Sequence, residues 1–407
     1  MKNAFTFASS SPIRWTAHSK TMQNRKEKPR VAILVDTSSS WGRELVTGIH
    51  EHAIRRKGWR TIVEARGMNE HLHVPAGWHG DGVIARVASP RMAKELFEIG
   101  LPVVNVSAIE LPSSPFPRVQ HDTAAGAEMA ARYFRDRGFA NFAYFSLTDL
   151  PYVAAQEAAF RQAVHAPGSA TYSVHGVKSH HGAEPEWDYD PTSLIDWLHR
   201  LPKPVGILTW NATCGRQIVH ACDDAGLRIP DEVALISGTD DDLLCGLSHI
   251  PISAVHVAAH RIGLRAAEVL DDMLHGRMPP PNALVPPLGV ISRRSTDVIP
   301  LDDQVVTAAM RYIRAHAGQA LQVEDIARSV GVSRRALERR FLAALARSPG
   351  AEIRLVRGER ARQLLAATDL PVDTVAREAG FGSADYLCQV FRADFGCTPT
   401  RYRQRYR

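Results

Sequence analysis

Short apolar runs alternate with stretches of helical periodicity through the first three hundred residues. Residues 31–35 are uninterrupted apolar, as a strand covered on both faces requires, and residues 41–56 repeat apolar positions at helical spacing. The same pairing recurs: strands over 82–85, 103–106, 142–145, 205–208, 233–237 and 253–257, and helices over 90–99, 123–137, 153–164, 212–225 and 258–275. Continuous apolar strands separated by amphipathic helices predict parallel sheets with helices on both faces. The length suits two such lobes in succession. The run Gly226-Leu-Arg-Ile-Pro-Asp-Glu-Val233 is a helix stop that leads into a buried strand.

Beyond residue 300 the strands cease and a different pattern appears twice. In the first copy Val323, Ile326, Ala327 and Val330 share one helical face; Gly331 follows, then Ser333, then a second amphipathic helix anchored by Leu337 and Phe341. Glycine permits the left-handed backbone of a tight interhelical turn, and the serine hydroxyl accepts from an otherwise unpaired helix N–H. The second copy begins 49 residues later, counted from Val323 to Val372. It places Val372, Val375, Ala376 and Ala379 inside, Gly380 at the turn, Ser383 at the cap, and Leu387, Phe391 and Phe395 as anchors. A helix over 351–366 joins the copies. This is the layout of two helix-turn-helix units, whose second helices can enter a major groove. Ser333, Arg334, Arg335, Glu338 and Arg339 face outward from the first such helix, and Ser383, Ala384, Asp385, Cys388, Gln389 and Arg392 from the second.

Charge sharpens this reading. The chain of 407 residues carries a formal charge of +6. From Leu301 onward there are 18 arginines, no lysine and 12 acids, so the whole excess lies on the helix-turn-helix segment and the first three hundred residues are neutral. The ending Arg401-Tyr-Arg403-Gln-Arg405-Tyr-Arg407 concentrates it further, which is the footprint of phosphate contact, with Arg401 the leading candidate. The five scattered cysteines form no ligand spacing, and the 18 histidines include no metal motif, so neither a metal nor a disulfide framework is expected. No nucleophile elbow, phosphate-binding loop or zinc-hydrolase pattern is present, which argues against an enzyme; no cofactor is expected. His180-His181 reads as a loop. Residues 1–29 lack an apolar export core and read as a disordered tail, with Met22 an alternative start; together with the absence of a long apolar run this predicts a cytoplasmic protein with no membrane partner.

In open parallel sheets, ligands bind beyond the carboxyl ends of strands. Asp36, Trp41 and Arg43 follow the first strand; Arg86, Asp122, Asn211 and Asp240 follow later ones. Carboxylates, an amide, an arginine and a flat aromatic suit a polyhydroxylated ligand. Asp122 serves equally well as a helix cap, and Asp240-Asp-Asp242 as a solvated turn.

The close Gly396-Cys-Thr-Pro399-Thr-Arg-Tyr402-Arg403, with Leu337-Glu-Arg-Arg-Phe341 and Ala379-Gly-Phe-Gly-Ser383, resembles the arabinose-regulator (AraC) family of transcription factors over roughly residues 304–406. In that family both recognition helices enter successive major grooves; a basic residue is common where this chain has Gln389. Gly80-Asp-Gly-Val-Ile-Ala85, Ala159-Phe-Arg-Gln162 and Val285-Pro-Pro-Leu-Gly-Val-Ile-Ser-Arg-Arg-Ser-Thr-Asp297 resemble the periplasmic-binding-protein-like effector domain of lactose- and galactose-repressor type. The order of the two domains is that of xylose-operon regulators. The resemblance implies a sugar effector held by Arg43, Asp122, Asn211 and Asp240, with Gln156 where the family often has arginine and Asn211 where it has aspartate. The expected organisation is a two-lobed effector domain over 30–292, a linker over 293–303 and a two-unit DNA-binding domain over 304–407. The expected function is sugar-responsive regulation of pentose (xylose-like) genes by a homodimer on double-stranded DNA with paired half-sites, engaging RNA polymerase if it activates. The expected mechanism is that sugar closes the lobes and thereby resets the spacing of four helix-turn-helix units.

Overall fold

The computed structural model describes residues 28–55, 58–63, 72–74, 77–111, 114–147, 153–165, 171–177, 191–297, 303–395 and 397–406; for 366–367, 394–395 and 404–406 it describes the backbone alone. The expected tail up to residue 27, His180-His181 and residues 298–302 of the expected linker lie outside these, as does the side chain of Phe395.

The described chain divides into two compact units, the first made of residues up to Thr123 with Asp240–Leu243 and Val257–Pro287, the second of Ala124–Thr239, Leu244–His256 and Leu288 to the end. In the first unit six parallel strands, β1 (Arg30–Leu34), β2 (Arg60–Val63), β3 (Gly82–Ala85), β4 (Val103–Asn105), β5 (Arg118–His121) and β11 (Asn282–Val285), lie in the order β11-β5-β4-β3-β1-β2. The apolar runs of β1, β3 and β4 are the buried middle of this sheet. Helices α1 (Ser40–Arg55) and α2 (Pro90–Glu98) follow β1 and β3, and α8 (Ala259–Leu274) packs along α1. That packing is unusually close, and two glycines permit it: a Cβ on Gly48 would lie 1.9 Å from the His260 carbonyl oxygen, and one on Gly263 would lie 2.1 Å from that of Leu45. Only residues without a Cβ let backbones approach this far.

The second unit holds β6 (Asn141–Leu147), β7 (Thr171–Val177), β8 (Val205–Thr209), β9 (Val233–Ser237), β10 (Ser253–His256) and β12 (Gly289–Ile291) in the order β12-β10-β9-β8-β6-β7, with only β12 antiparallel. Helices α3 (Thr123–Arg135), α4 (Ala154–Val164), α5 (Thr192–Arg200) and α6 (Ala212–Asp224) accompany the strands, and the short α7 (Asp242–Gly246) begins in the first unit and ends in the second. Tyr144, Phe134, Phe142, Phe145 and Phe160 fill its core.

Two expectations need correction here. Strands β2, β5, β7, β11 and β12 and helix α5 were absent from the sequence reading. β2, β5, β7 and β11 carry polar residues among their apolar ones and lie partly exposed, so periodicity does not single them out, and β12 is only three residues long. The linker does not begin at Arg293: residues Arg294–Thr296 form a single 3-10 turn, and Ser295 and Thr296 are fully buried. The Ser295 hydroxyl donates to the Leu235 carbonyl at 2.6 Å and accepts from the Ser253 N–H at 2.8 Å, which satisfies a polar residue in the core. Arg293, Ser295 and Thr296 therefore belong to the effector fold.

The remainder of the second unit is helical: α9 (Gln304–His316), α10 (Val323–Ser329), α11 (Arg334–Leu345), α12 (Pro349–Ala367), α13 (Val372–Glu378), α14 (Ala384–Phe395) and α15 (Pro399–Tyr406). Its apolar side chains gather in two separate cores. One holds Ile326, Leu337, Phe341 and, from α12, Ile353; the other holds Val375, Leu387, Phe391, Tyr402 and, also from α12, Ala361 and Leu365. Helix α12 is thus shared by two small domains, each too small to bury its own helices without it.

Candidate nucleic-acid interface and effector residues

Both turns form as the sequence requires. Gly331 and Gly380 take left-handed φ values of 71° and 87°. Ser333 Oγ accepts from the Ala336 N–H at 3.2 Å, and Ser383 Oγ from the Tyr386 N–H at 3.1 Å, so α11 and α14 start where the motif places them. Leu337, Phe341, Leu387 and Phe391 are fully buried, which fixes the opposite faces of α11 and α14 outward.

On the outward face of α11, Arg335 and Arg339 are exposed and Glu338 is half-buried. Arg334 is exposed but engaged: its Nε donates to Glu338 at 2.9 Å and its Nη1 to Glu324 of α10 at 2.5 Å. Those two carboxylates hold the guanidinium above its usual pKa and neutralise the charge it would offer to DNA. On α14, Asp385, Gln389 and Arg392 are exposed and Cys388 is half-buried. Ala384, expected to face outward, is half-buried and packs against the second core. Tyr386, absent from the sequence reading, is 41% exposed on the same helix, its ring edge-on to Phe381. In the basic ending Arg401 is exposed, whereas Arg403 is half-buried and donates to the Leu370 carbonyl, leaving it a structural contact.

The effector candidates sit at the carboxyl ends of the strands in each unit. In the first, the Asp36 carboxylate is buried and accepts from the hydroxyls of Ser38 and Ser39, both at 3.1 Å, with Arg86 4.0 Å away. Gly42 is obligatory beside it, because a Cβ would lie 1.8 Å from the Asp36 carbonyl oxygen. Arg43 is turned to the loop: it donates to the carbonyls of Thr37 and Ser38 at 3.0 and 2.7 Å. Trp41, Arg86, Asp122 and Asp240 are half-buried. The Asp240–Leu243 segment is tied to α1, with the Ser40 N–H donating to Asp241 at 3.1 Å and the Asp242 N–H to Ser40 Oγ at 3.2 Å. Between these sits Glu44, which the sequence reading missed. Burial first, then Asp242 and Asp240, push its carboxyl up to about 7 against the pull of Arg43.

In the second unit Gln156 is buried in the first turn of α4, where its carbonyl oxygen accepts from the Tyr144 hydroxyl at 2.9 Å. A Cβ on Gly238 would lie 2.5 Å from its Nε2, so the carboxamide is packed as a wall. Asn211 caps α6, its Oδ1 accepting from the Cys214 N–H at 2.9 Å. Among the described residues no group of His, Cys, Asp and Glu is placed to hold a metal, and no helix is long and apolar enough to cross a membrane. A cleft of about 350 Å³ opens between α9 and α10, lined by Tyr312, His316, Asp325 and Arg328, remote from every effector candidate in the sequence.

Residues 131–296 match the periplasmic binding protein-like domain family, and residues 326–405 match a helix-turn-helix domain family. Fold and interface together define the class: a DNA-binding transcriptional regulator with a periplasmic-binding-protein-like domain on the same chain. The chain is similar to the xylose operon regulatory protein of Escherichia coli K12, 29% identical over 385 residues that cover 93% of this chain and 97% of that protein. It is similar to the protein of the same name in Haemophilus influenzae, 27% identical and covering 92% and 98%. The solved structure of a xylose-binding transcription activator aligns with a TM-score of 0.60 at 29% identity, covering 93% of this chain and 98% of that one. A transcriptional regulator of the lactose-repressor family from Rhodococcus, at 18% identity and a TM-score of 0.51, shares the fold of the effector portion.

Proposed function

We propose that this protein is a sugar-responsive transcriptional regulator of pentose catabolism, with D-xylose or a close relative as effector. One observation carries the reading: the likeness to xylose operon regulatory proteins runs through both domains in the same order, over 93% of the chain. The polar strand ends support it, since Arg86, Asp122 and Asp240 offer donors and acceptors in the mixture that sugar hydroxyls need, and Trp41 offers a flat apolar face. Arg335, Glu338 and Arg339 read bases from the first recognition helix. Asp385, Gln389 and Arg392 act from the second, with Arg401 on phosphate. The protein works in the cytoplasm as a homodimer on paired half-sites and, if it activates, engages RNA polymerase.

A second reading keeps the DNA-binding mechanism and changes the sugar. Gln156 is engaged by Tyr144 and Asn211 by a helix cap, which leaves less carboxylate and guanidinium chemistry than a xylose site of the resembling family. A thermal-shift titration against pentoses, hexoses and sugar phosphates decides. Ligand bound only by the folded state raises the melting temperature with concentration. A dose-dependent rise with D-xylose alone supports the first reading, a rise with another sugar the second, and no rise with any of them removes the sugar assignment.

A further inference from the structure

Helix α12 not only joins the two helix-turn-helix units but also carries charge into the effector fold of the same compact unit. Near its C-terminal end Arg362 is 7% exposed. Its Nη1 donates to the Leu288 carbonyl at 2.8 Å, and its Nε and Nη2 donate to Glu359 at 2.9 and 2.5 Å. The strand it meets is shaped for it: a Cβ on Gly289 would lie 2.5 Å from Arg362 Nη2. Tyr402 of α15 reaches the same Leu288 carbonyl at 3.5 Å, and Gln363 reaches that of Val290 at 3.5 Å.

A second junction lies just before the N-terminus of α12. Arg347 Nη2 donates to the Asp136 carbonyl at 2.6 Å, and its Nε to Glu352 at 2.5 Å, where Glu352 is 2% exposed. Asp136 follows α3, and the neighbouring Arg137 lies over the Tyr133 ring at 3.2 Å. The Tyr133 hydroxyl in turn bonds Ser292 at 2.7 Å and Thr296 at 3.0 Å, at the end of the effector fold. A buried guanidinium such as that of Arg362, or a half-buried one such as that of Arg347, is retained where carboxylates and carbonyls satisfy it. Here each has both, from opposite sides of a domain boundary. Thirteen helical rises separate Pro349, two residues beyond Arg347, from Arg362, roughly 20 Å, so two bonded points hold the helix against rotation as well as displacement.

We infer that Arg347 and Arg362 are positioning residues that fix α12, and with it both helix-turn-helix units, to the second effector lobe, so that a rearrangement of that lobe moves the DNA-binding domain as one body. The inference rests on the reading that an effector governs DNA binding. It deepens that reading by naming the route, through docked faces at Leu288–Val290 and Asp136 in addition to the covalent connection.

The test uses the full chain and two variants that attack one lock from opposite sides. Arg362→Met removes the guanidinium, and Gly289→Val displaces it without altering the DNA-binding domain. Spin labels at Asp224→Cys and Glu378→Cys, in a chain with Cys388→Ser and Cys397→Ser, report the distance between α6 and α13 by pulsed electron resonance. Operator affinity with and without D-xylose is measured separately on the chain with its native cysteines. The expected result is a single narrow distance in the parent and a broadened one in both variants, with Arg362→Lys restoring most of the narrow component. The xylose-dependent ratio of operator affinities falls roughly fivefold or more in the variants, while affinity for an isolated half-site holds. A distance that stays narrow in both variants, or an unchanged ratio, overturns the inference. A parent that ignores xylose counts against the sugar assignment instead, and the distance measurement still decides the docking.

Discussion

Gly331 and Gly380 occupy the same place in two copies of one motif, and their replacement by alanine should have very different consequences. Both have left-handed φ, 71° and 87°, a region that costs an alanine about 1–2 kcal/mol. Part of that is offset, since alanine also restricts the unfolded chain by roughly 0.4–1 kcal/mol. At Gly331 nothing lies within 4 Å of the added Cβ, so the backbone term stands alone and the expected loss is about 1 kcal/mol. At Gly380 the added Cβ would lie 2.0 Å from the Ala317 carbonyl oxygen and 2.9 Å from Arg357 Nε. That oxygen accepts from Arg357 Nε at 2.9 Å, so moving it also weakens a charge-assisted hydrogen bond, a group worth about 1.5–3 kcal/mol. Backbone displacement and hydrogen-bond loss together predict about 3–5 kcal/mol, the range reserved for named structural failures. The two domains can be followed separately, because all seven tryptophans precede residue 301. Urea unfolding read by tryptophan fluorescence reports the effector fold, and far-ultraviolet circular dichroism adds the helical domain. Equal losses for the two variants, or a milder effect at Gly380, would refute the packing argument.

Other outcomes follow from single residues. Arg401→Ala should weaken binding evenly across operator sequences and reduce the slope of log affinity against log salt by about 0.9; an unchanged slope removes Arg401 from the phosphate contacts. Arg335→Ala should relax preference at one operator base by about 1–3 kcal/mol, whereas Arg334→Ala, already neutralised by Glu324 and Glu338, should relax it less; scanning single-base operator variants reverses or upholds that order. Glu44, raised by burial and then by Asp242 and Asp240 from 4.5 to about 7, binds a proton more readily folded than unfolded. Its favourable contribution is full below pH about 4.5 and is lost as pH rises through about 7. Glu44→Gln should therefore gain stability over the parent progressively between those limits, and a gain independent of pH in urea titrations would contradict the assignment.

The elements read most easily from the chain were those whose burial is one-sided or complete. β1, β3, β8 and β9 are apolar and buried along nearly their whole length, with polar residues only at their ends, and the helices after them keep an apolar stripe. The strands that escaped detection have mixed environments. β7 runs Thr171–Val177 along a sheet edge with Val174 exposed, and β5 carries Arg118, Gln120 and His121 although it lies inside the sheet. The site residues divide in the same manner. Ser333 and Ser383 cap helices as anticipated because capping is settled within four residues of chain. Arg43, expected at the effector, Arg334, expected at DNA, and Arg403 of the basic ending each also meet a carbonyl or carboxylate within the fold, which spacing along the chain does not reveal.

Sequence alone determined the two helix-turn-helix units, the arginine-rich charge that accompanies them, and the α/β character of the first three hundred residues. These depend on periodicity, local backbone freedom and composition, which are properties of a few neighbouring residues. Tertiary structure decided which of two identical turn glycines is sealed against another helix, and which arginines are held by carboxylates and carbonyls. It also decided that Arg362 meets Leu288, 74 residues away, rather than solvent. Such contacts join residues far apart in the chain, and a hydrogen bond or a steric overlap depends on positions to within an ångström, which only the packed fold specifies.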